Sequence, residues 1–371
     1  MFTADDHRYM ARALRLAERG RMTADPNPCV GCVIVYEGQI VGEGWHVRAG
    51  EDHAEIVALR QAGSKACGAT IYVTLEPCCH FGRTPPCTQV IIAARPRRIV
   101  VAMVDPNPKV EHGGIDALRT AGIDVQVGLM EQQAYTLNQG FIQRMKSGRP
   151  WVTIKLAASI DGRTAMASGE SKWITGHSAR RDVQRLRAGS SALLTGIGTI
   201  LADDPSLTVR IAECKRQPIR VIADSQLQIP DTAKLWGAGG QVIVATAVQG
   251  GTKFEQVRAR GAEVVALPGQ GGQVDLGALM DNLAGREVNS LLVEAGPTLA
   301  GAMIRAGLAH QVVLYLAPKL LGDDARGMLR LSGLERLVDQ ISLRLEDVRV
   351  VGDDLCMRLR VVNNDSVEQY G

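Results

Sequence analysis

His53-Ala54-Glu55 and, further on, Pro77-Cys78-Cys79-His80-Phe81-Gly82-Arg83-Thr84-Pro85-Pro86-Cys87 bring together residue types that hold a metal. A histidine and two thiolates make three zinc ligands of the kind that leave a fourth position open for water. Zinc lowers the pKa of that water toward neutrality, so a hydroxide nucleophile exists at physiological pH. Glu55, two residues past His53 in the first turn of a helix, is near such a metal yet free of it, where a carboxylate can shuttle protons to a leaving amine. H-x-E followed by P-C-x-x-C marks the zinc nucleobase deaminases. Here the second half is stretched to Cys-x8-Cys, so the loop must bulge outward before Cys87 starts a helix. Spacing leaves either Cys78 or Cys79 as a ligand, and Cys79 or His80 can close a four-ligand structural site; such a closed site has no use for Glu55.

A second set of residues lies beyond Trp151. Lys155-Leu156-Ala157-Ala158-Ser159-Ile160-Asp161-Gly162-Arg163-Thr164 follows a strand, with Ser171-Lys172-Trp173-Ile174-Thr175 just after it, and strand ends of an α/β sheet are where ligands bind. Leu292-Val293-Glu294-Ala295-Gly296-Pro297 runs from a strand through glycine into a helix with proline in its first turn. That junction bares N–H groups suited to a dinucleotide phosphate, although it is not G-x-G-x-x-G. Arg187 and Arg210 offer guanidinium forks that match a phosphate bidentately. For Arg187 the competing reading is a solvated face, because it sits among Arg180, Arg181 and Arg185 in a strongly basic helix.

The elements that must carry these residues follow from periodicity. Met10, Ala13, Leu14 and Ala17 recur at helical spacing and stop near Gly20, which reads as the helix's C-terminal glycine; two β-rich runs flank Glu37-Gly38 as a hairpin. HAEIVALRQAG, TQVIIAA and GIDALRTAG read as helices, and TIYVTLEP, RIVVAMVDP and IDVQVG as strands. The order α, β, β, α, β, α, β, α, β implies one compact α/β layer. After a polar joint at Lys146–Pro150 the strands WVTIKLAAS, SALLTGIG, PIRVIAD, QVIVAT, SLLVEAG and VVLYLAP alternate with helical stretches, which predicts a second α/β domain with a largely parallel sheet. We place the domains at 1–147 and 148–371. A length of 371 residues and an apolar fraction of 46% support two cores. The 42 basic and 39 acidic residues nearly balance, so no global field steers the chain to nucleic acid or a membrane. Eight cysteines, mostly in the first quarter, favour metal chemistry over stapling. No stretch approaches the roughly 18 apolar residues of a membrane span, and the first residues lack a signal-peptide core, so a cytoplasmic protein is expected.

The sequence resembles the family of bifunctional deaminase–reductases of riboflavin biosynthesis. In that family H-A-E is paired with E-P-C-x-H-x-G-[RK]-T-P-P-C, and all those positions are present here, together with Pro26-Asn27-Pro28, Gly31, Gly44, His46 and Asp105-Pro106-Asn107-Pro108. The departure is His112-Gly113-Gly114, where the family usually carries a G-x-G turn. In the second half the likeness runs through K-L-x-x-S-x-D-G-R, Thr195-Gly196-Ile197-Gly198-Thr199, the segment Ala202 to Arg210, and Ala317-Pro318-Lys319-Leu320-Leu321-Gly322.

The resemblance implies a cytidine-deaminase-like three-layer α/β domain followed by a dihydrofolate-reductase-like α/β domain that uses NADPH. It selects Cys78 with His53 and Cys87 as zinc ligands and Glu55 as the catalytic residue. It implies that Asn27, His46, Arg83 and Asp105 hold the pyrimidine or its ribose phosphate. Ala157, Trp173, Thr199, Asp203, Ser225 and the turn Gly296, Pro297, Thr298, Leu299, Ala300, Gly301, Ala302 would line the cofactor. Ser171, Arg187, Leu207, Arg210 and Glu294 would line the sugar-phosphate substrate, with Lys155 and Asp161 orienting the opening ribose. The implied partners are small phosphoribosyl-pyrimidines and further copies of the chain, with neither nucleic acid nor membrane. A nucleoside or tRNA deaminase with an accessory domain is disfavoured by near-neutral charge and the lack of a basic, aromatic-laced stripe. A ligand-binding regulator with a degenerate catalytic half would have a broken ligand set, and this set is whole.

Overall fold

The computed structural model describes residues 1–80, 86–108, 110, 112–212, 214 and 216–362, which divide into two compact units, Met1–Arg149 and Pro150–Gly371. The first runs α1 (Ala4–Ala17), β1 (Gly31–Tyr36), β2 (Gln39–Trp45), α2 (Ala54–Ala62), β3 (Thr70–Val73), α3 (Cys87–Ala94), β4 (Arg98–Val101), α4 (Gly113–Thr120), β5 (Asp124–Val127), α5 (Glu131–Leu137) and α6 (Gln139–Ser147). Its sheet has the order β2-β1-β3-β4-β5, antiparallel at β2/β1 and β1/β3 and parallel from β3 to β5. Successive side chains of β1 point to opposite faces: Cys32 and Ile34 join one core with α2, α3 and α4, and Val33 and Val35 join another with α1 and α6. The result is the expected three layers.

Local chemistry explains most of these elements. Glu37 and Gly38 both take positive φ, 50° and 75°, the two-residue turn whose twist matches a β-hairpin. Helix α1 opens on a capping box in which Thr3 and Asp6 satisfy each other's backbone N–H groups. It ends at Ala17 and passes into a 3₁₀ turn, Glu18–Met22, so Gly20 is not the glycine cap expected. Gly20 is instead a close-approach residue: a Cβ there would lie 2.8 Å from the His46 carbonyl oxygen. Helices α5 and α6 lie in a stretch for which the sequence pattern gave no element.

The second unit runs β6 (Trp151–Ser159), β7 (Arg163–Ala165), α7 (His177–Ala188), β8 (Ala192–Gly196), α8 (Ile197–Asp203), β9 (Ile219–Ala223), β10 (Val242–Thr246), α9 (Thr252–Ala259), β11 (Glu263–Ala266), α10 (Leu276–Gly285), β12 (Ser290–Val293), α11 (Pro297–Arg305), β13 (Gln311–Ala317), β14 (Arg326–Gly327), β15 (Ser342–Val351) and β16 (Asp354–Val362). A nine-stranded sheet has the order β11-β10-β9-β8-β12-β6-β13-β16-β15. It is parallel from β11 to β13 and antiparallel only where the terminal hairpin β15–β16 joins β13. No helix of the described residues is long and apolar enough to cross a membrane.

Strand β6 begins under a stack. The Trp151 and His310 rings lie 4.6 Å apart with Arg360 above the indole, and the Val152 N–H donates to His310 Nδ1 at 3.1 Å. Burial, helped by the Arg360 charge, pushes His310 down to about 4, below the value of about 6.5 for an unfolded chain. The neutral ring therefore contributes stability above pH of about 6.5 that is lost as pH falls through about 4. A pH series of thermal unfolding should show the second unit weakening across that window, and His310→Asn, which keeps an acceptor for Val152, should flatten the dependence; an unchanged slope in the variant would remove His310 as its cause.

Candidate active sites

In the first unit α2 starts on His53, which is its extended N-cap at φ −72°, ψ 159°, so Glu55 falls in the first turn. Cys78 follows β3 and Cys87 opens α3. His53 Nδ1 lies 3.2 Å from Cys87 Sγ and 3.6 Å from Cys78 Sγ, and the Cys87 N–H donates to Cys78 Sγ at 3.3 Å. One ligand atom from each of the three lies within 4.8 Å of the others. An imidazole nitrogen and two sulfurs at that separation fit zinc. Hydrogen bonding from Cys87 and from His53 holds the Cys78 thiol down to about 4, while its bond to Cys78, together with burial, pushes Cys87 up. Cys79 is turned elsewhere: a Cβ on Gly113 would lie 2.8 Å from its Sγ.

Glu55 is 4% exposed, and burial raises its pKa, so the carboxyl holds a proton more readily than an exposed one. His46 packs edge-on against His53 at 5.3 Å; its Nδ1 meets the Asp52 carbonyl at 3.2 Å and its Nε2 the Asn27 amide at 3.0 Å. Burial lowers the His46 pKa, which favours a neutral ring that donates through Nδ1 and accepts from Asn27 through Nε2. Asp105 is buried, accepts the Asn107 N–H at 2.9 Å and is pushed by burial to about 6, with the charge at Cys78 also felt there. Arg83 lies outside the described residues.

Glu76 is the residue that the motif contained and spacing could not interpret. It is 3% exposed and accepts backbone N–H groups from Asp105, His112, Gly114 and Ile115 at 2.9–3.2 Å. The only signal was its place directly before Pro77-Cys78. His112, in left-handed backbone with φ 58°, begins α4, and Gly114 is required because a Cβ there would sit 1.9 Å from the Pro77 oxygen.

In the second unit the expected residues gather at the carboxyl ends of the adjacent strands β9, β8, β12 and β6: Ser225 after β9, Thr199 and Asp203 on α8 after β8, Glu294 and Gly296 after β12, and Lys155 and Ala157 on β6. Arg187 reaches this edge from α7. Its guanidinium makes a bidentate pair with Glu294 at 2.6 and 2.9 Å and donates to the Thr208 carbonyl at 3.0 Å. With side chains 13% and 12% exposed, the solvated-face reading of Arg187 is overturned, and its fork is filled by Glu294 rather than held open for phosphate. Lys155 faces the same pair; burial lowers its pKa while the Glu294 charge opposes that.

Several other expectations change in detail. Leu207 is buried among Leu193, Ile222 and Leu227, so only its backbone, at φ 54°, can meet a ligand. Ala300 is part of the core and a Cβ on Gly301 would strike the Arg330 oxygen at 2.1 Å, so these two face inward, whereas Gly296 and Thr298 are exposed and Pro297, Leu299 and Ala302 half-buried. Asp161 does not hang free for a ribose: its Oδ2 accepts the Leu321 and Gly322 N–H groups, both at 2.9 Å, and so fastens that loop to β6. Trp173 is 64% exposed beneath Arg180, and Lys319 donates to its carbonyl and to that of Ile174. Ser225 Oγ accepts the Val274 N–H at 3.2 Å and Asp203 pairs with Lys172 at 3.5 Å. Ser171 is half-buried and Arg210 exposed.

Comparison with known proteins gives both halves a counterpart. Residues 3–103 match the cytidine and deoxycytidylate deaminase zinc-binding region, and residues 150–357 match the RibD C-terminal domain. The chain is 51% identical to the riboflavin biosynthesis protein RibD of Escherichia coli K12 over 366 residues, covering 95% of this chain and 99% of that one. A solved structure of Acinetobacter baumannii RibD is 43% identical, covering 97% of this chain and 99% of that chain, with a TM-score of 0.90. That of a Thermotoga maritima diaminohydroxyphosphoribosylaminopyrimidine deaminase/5-amino-6-(5-phosphoribosylamino)uracil reductase is 31% identical, covering 96% and 99%, with a TM-score of 0.87.

The buried Arg187–Glu294 pair makes a direct prediction. Arg187→Ala leaves Glu294 buried beside Lys155 alone, which should lower stability in chemical denaturation by about 3–5 kcal/mol. Arg187→Met with Glu294→Leu, which removes both charges, should recover most of that loss; equal losses in the single and double variants would show that the pair carries no such burden.

Proposed function

Because the chain belongs to the RibD family of bifunctional riboflavin-biosynthesis enzymes, a zinc-binding deaminase region followed by a reductase domain, we propose the following reactions for its two units. The first hydrolyses the ring amino group of 2,5-diamino-6-ribosylamino-4(3H)-pyrimidinone 5′-phosphate. The second reduces the ribosyl group of the product, 5-amino-6-(5-phosphoribosylamino)uracil, to ribityl with a hydride from NADPH. The observation that carries the first is the convergence of His53, Cys78 and Cys87 with the Glu55 carboxyl buried beside them.

His53, Cys78 and Cys87 would hold the zinc, which would supply a water whose pKa falls toward neutrality. Glu55 takes the proton that this water gives up and returns it to the ring amino group, which leaves as ammonia; its raised pKa suits a group that must hold the proton in between. His46 fixes the Asn27 amide, which leaves the Asn27 side-chain oxygen to meet the pyrimidine edge, with Asp105 as a further contact. In the second unit the anomeric carbon gains the hydride and the ring oxygen gains a proton. Lys155 and Glu294 present opposite charges at the strand ends where the ribose must lie, and they can hold and pass that proton. The turn at Gly296–Thr298, in which Gly296 and Thr298 are exposed, forms the NADPH cradle with Thr199, Ser225 and the Trp173 segment, and Ser171 and Arg210 the phosphate side of the substrate. Self-association belongs to the same proposal: Leu345, Val348 and Val350 on β15 stand exposed, the kind of apolar face that a second copy covers.

Glu55→Gln separates the two activities. Gln keeps shape and hydrogen bonding, so purified protein should retain about one zinc per chain. Ammonia release should fall by at least about 10²-fold, the lower bound for a positioned acid–base group. Reduction of supplied deaminated pyrimidine, followed at the NADPH absorbance, should run near the wild-type rate. Loss of zinc, or collapse of both activities together, would overturn the two-site scheme.

A further inference from the structure

Glu76 is placed where one carboxylate can govern two segments of the deaminase site. Its Oε1 accepts from Gly114 and Ile115 at 2.9 and 3.1 Å, in the first turn of α4, and its Oε2 accepts from Asp105 and His112 at 3.1 and 3.2 Å. The first N–H groups of a helix have no intrahelical partner, and a negative charge at that end is favoured by the helix dipole. The Glu76 N–H in turn donates to the Met103 carbonyl at 3.0 Å, so the residue is tied to the strand end from which the Asp105 segment leaves. Gly114 presses on the same place: a Cβ there would meet the Pro77 oxygen at 1.9 Å and Glu76 Cγ at 3.2 Å. Two residues on from Glu76 stands Cys78.

We propose that Glu76 is a positioning residue of the deaminase, whose buried carboxylate clamps the Asp105 segment and the start of α4 against the Cys78 strand end and so sets affinity for the pyrimidine. The proposal rests on the reading of Asp105 as a pyrimidine contact. Glu76 itself is not assigned to the atoms that react: the proposed proton path belongs to Glu55, on α2. Its loss should therefore appear in KM, whereas a residue that merely holds the domain together would move zinc content, kcat and KM alike.

The test is Glu76→Gln in the full chain. Gln keeps one acceptor oxygen, but its amide NH₂ turns donors toward two of the four N–H groups, so half of the clamp is lost. KM for the diaminopyrimidine phosphate should rise roughly tenfold or more, with kcat within about threefold of wild type. Zinc content and reduction of supplied deaminated pyrimidine should be unchanged, and hydrogen exchange should quicken in peptides spanning Met103–Asp116 but not in α2. Glu76→Asp, which keeps both acceptors on a stem one methylene shorter, should give a smaller rise in KM, and it carries the same measurements if the Gln protein does not fold. Asp105→Asn is run beside them. If Asp105→Asn leaves KM unmoved, the reading of Asp105 fails. If it raises KM while both Glu76 variants bind normally, the positioning role fails; zinc loss or a fall in kcat with KM unmoved overturns it as well.

Discussion

The first unit depends on how closely α2 lies on β2. A Cβ on Gly42 would meet the Ala58 oxygen at 2.2 Å and one on Gly44 the Ala54 oxygen at 2.3 Å, so the helix backbone rests directly on the strand with no side chain between. Hydrogen takes the space because nothing larger fits. That contact fixes the height and rotation of the first turn of α2, and with them His53 and Glu55. Gly31 does the same for α1 on the other face, where a Cβ would lie 2.0 Å from the Ala13 oxygen. The sheet is thus held from both sides by backbone contact, and the ends of β3 and α3 can bring Cys78 and Cys87 to a point whose third corner is already set.

Both units place charge where water is scarce and answer it locally. Asp6 accepts from Thr3, Tyr72 and Arg98, which joins the start of α1 to β3 and β4, and Glu76 ties α4 and the Asp105 segment to the end of β3. In the second unit the side chain of Arg220, 1% exposed, donates to the carbonyls of Leu235, Ala238 and Gly240, and Arg187 answers Glu294. Lys155 is different. Its ammonium has an oppositely charged neighbour but no close hydrogen-bond partner among the described residues, which leaves donors for a ligand at the strand ends. A polar group without a full set of partners is unfavourable for folding, and at this edge that cost coincides with a place to bind.

The legible part of the sequence was whatever depends on neighbours along the chain. Period-2 and period-3.6 patterns placed the five strands of the first sheet, six of the nine in the second and most of the helices, the Glu37-Gly38 pair announced its hairpin, and His53-Ala54-Glu55 offered a candidate ligand and a candidate proton carrier in one helical turn. The pattern failed where residues serve an exposed or irregular element. The hairpin β15–β16 was not read, for β15 is exposed along most of its length and a bulge between Leu345 and Asp347 breaks its alternation. Gly20 read as a helix cap because a glycine after a helix usually is one, whereas here it makes room for a carbonyl from a distant loop.

The sequence by itself determined the two α/β units, the candidate ligand types and the carboxylate proposed as proton carrier, since each is written in residue type and short spacing. It did not determine which of Cys78 and Cys79 turns to the metal site without a family pattern to consult, nor that Arg187 is buried against Glu294, nor that Glu76 gathers four N–H groups. Those are relations between segments brought together only by the packing of strands and helices: Arg187 and Glu294 lie 107 residues apart, Glu76 and Ile115 39. Direction and burial of a side chain are set by the sum of such distant contacts, and no local pattern encodes that sum.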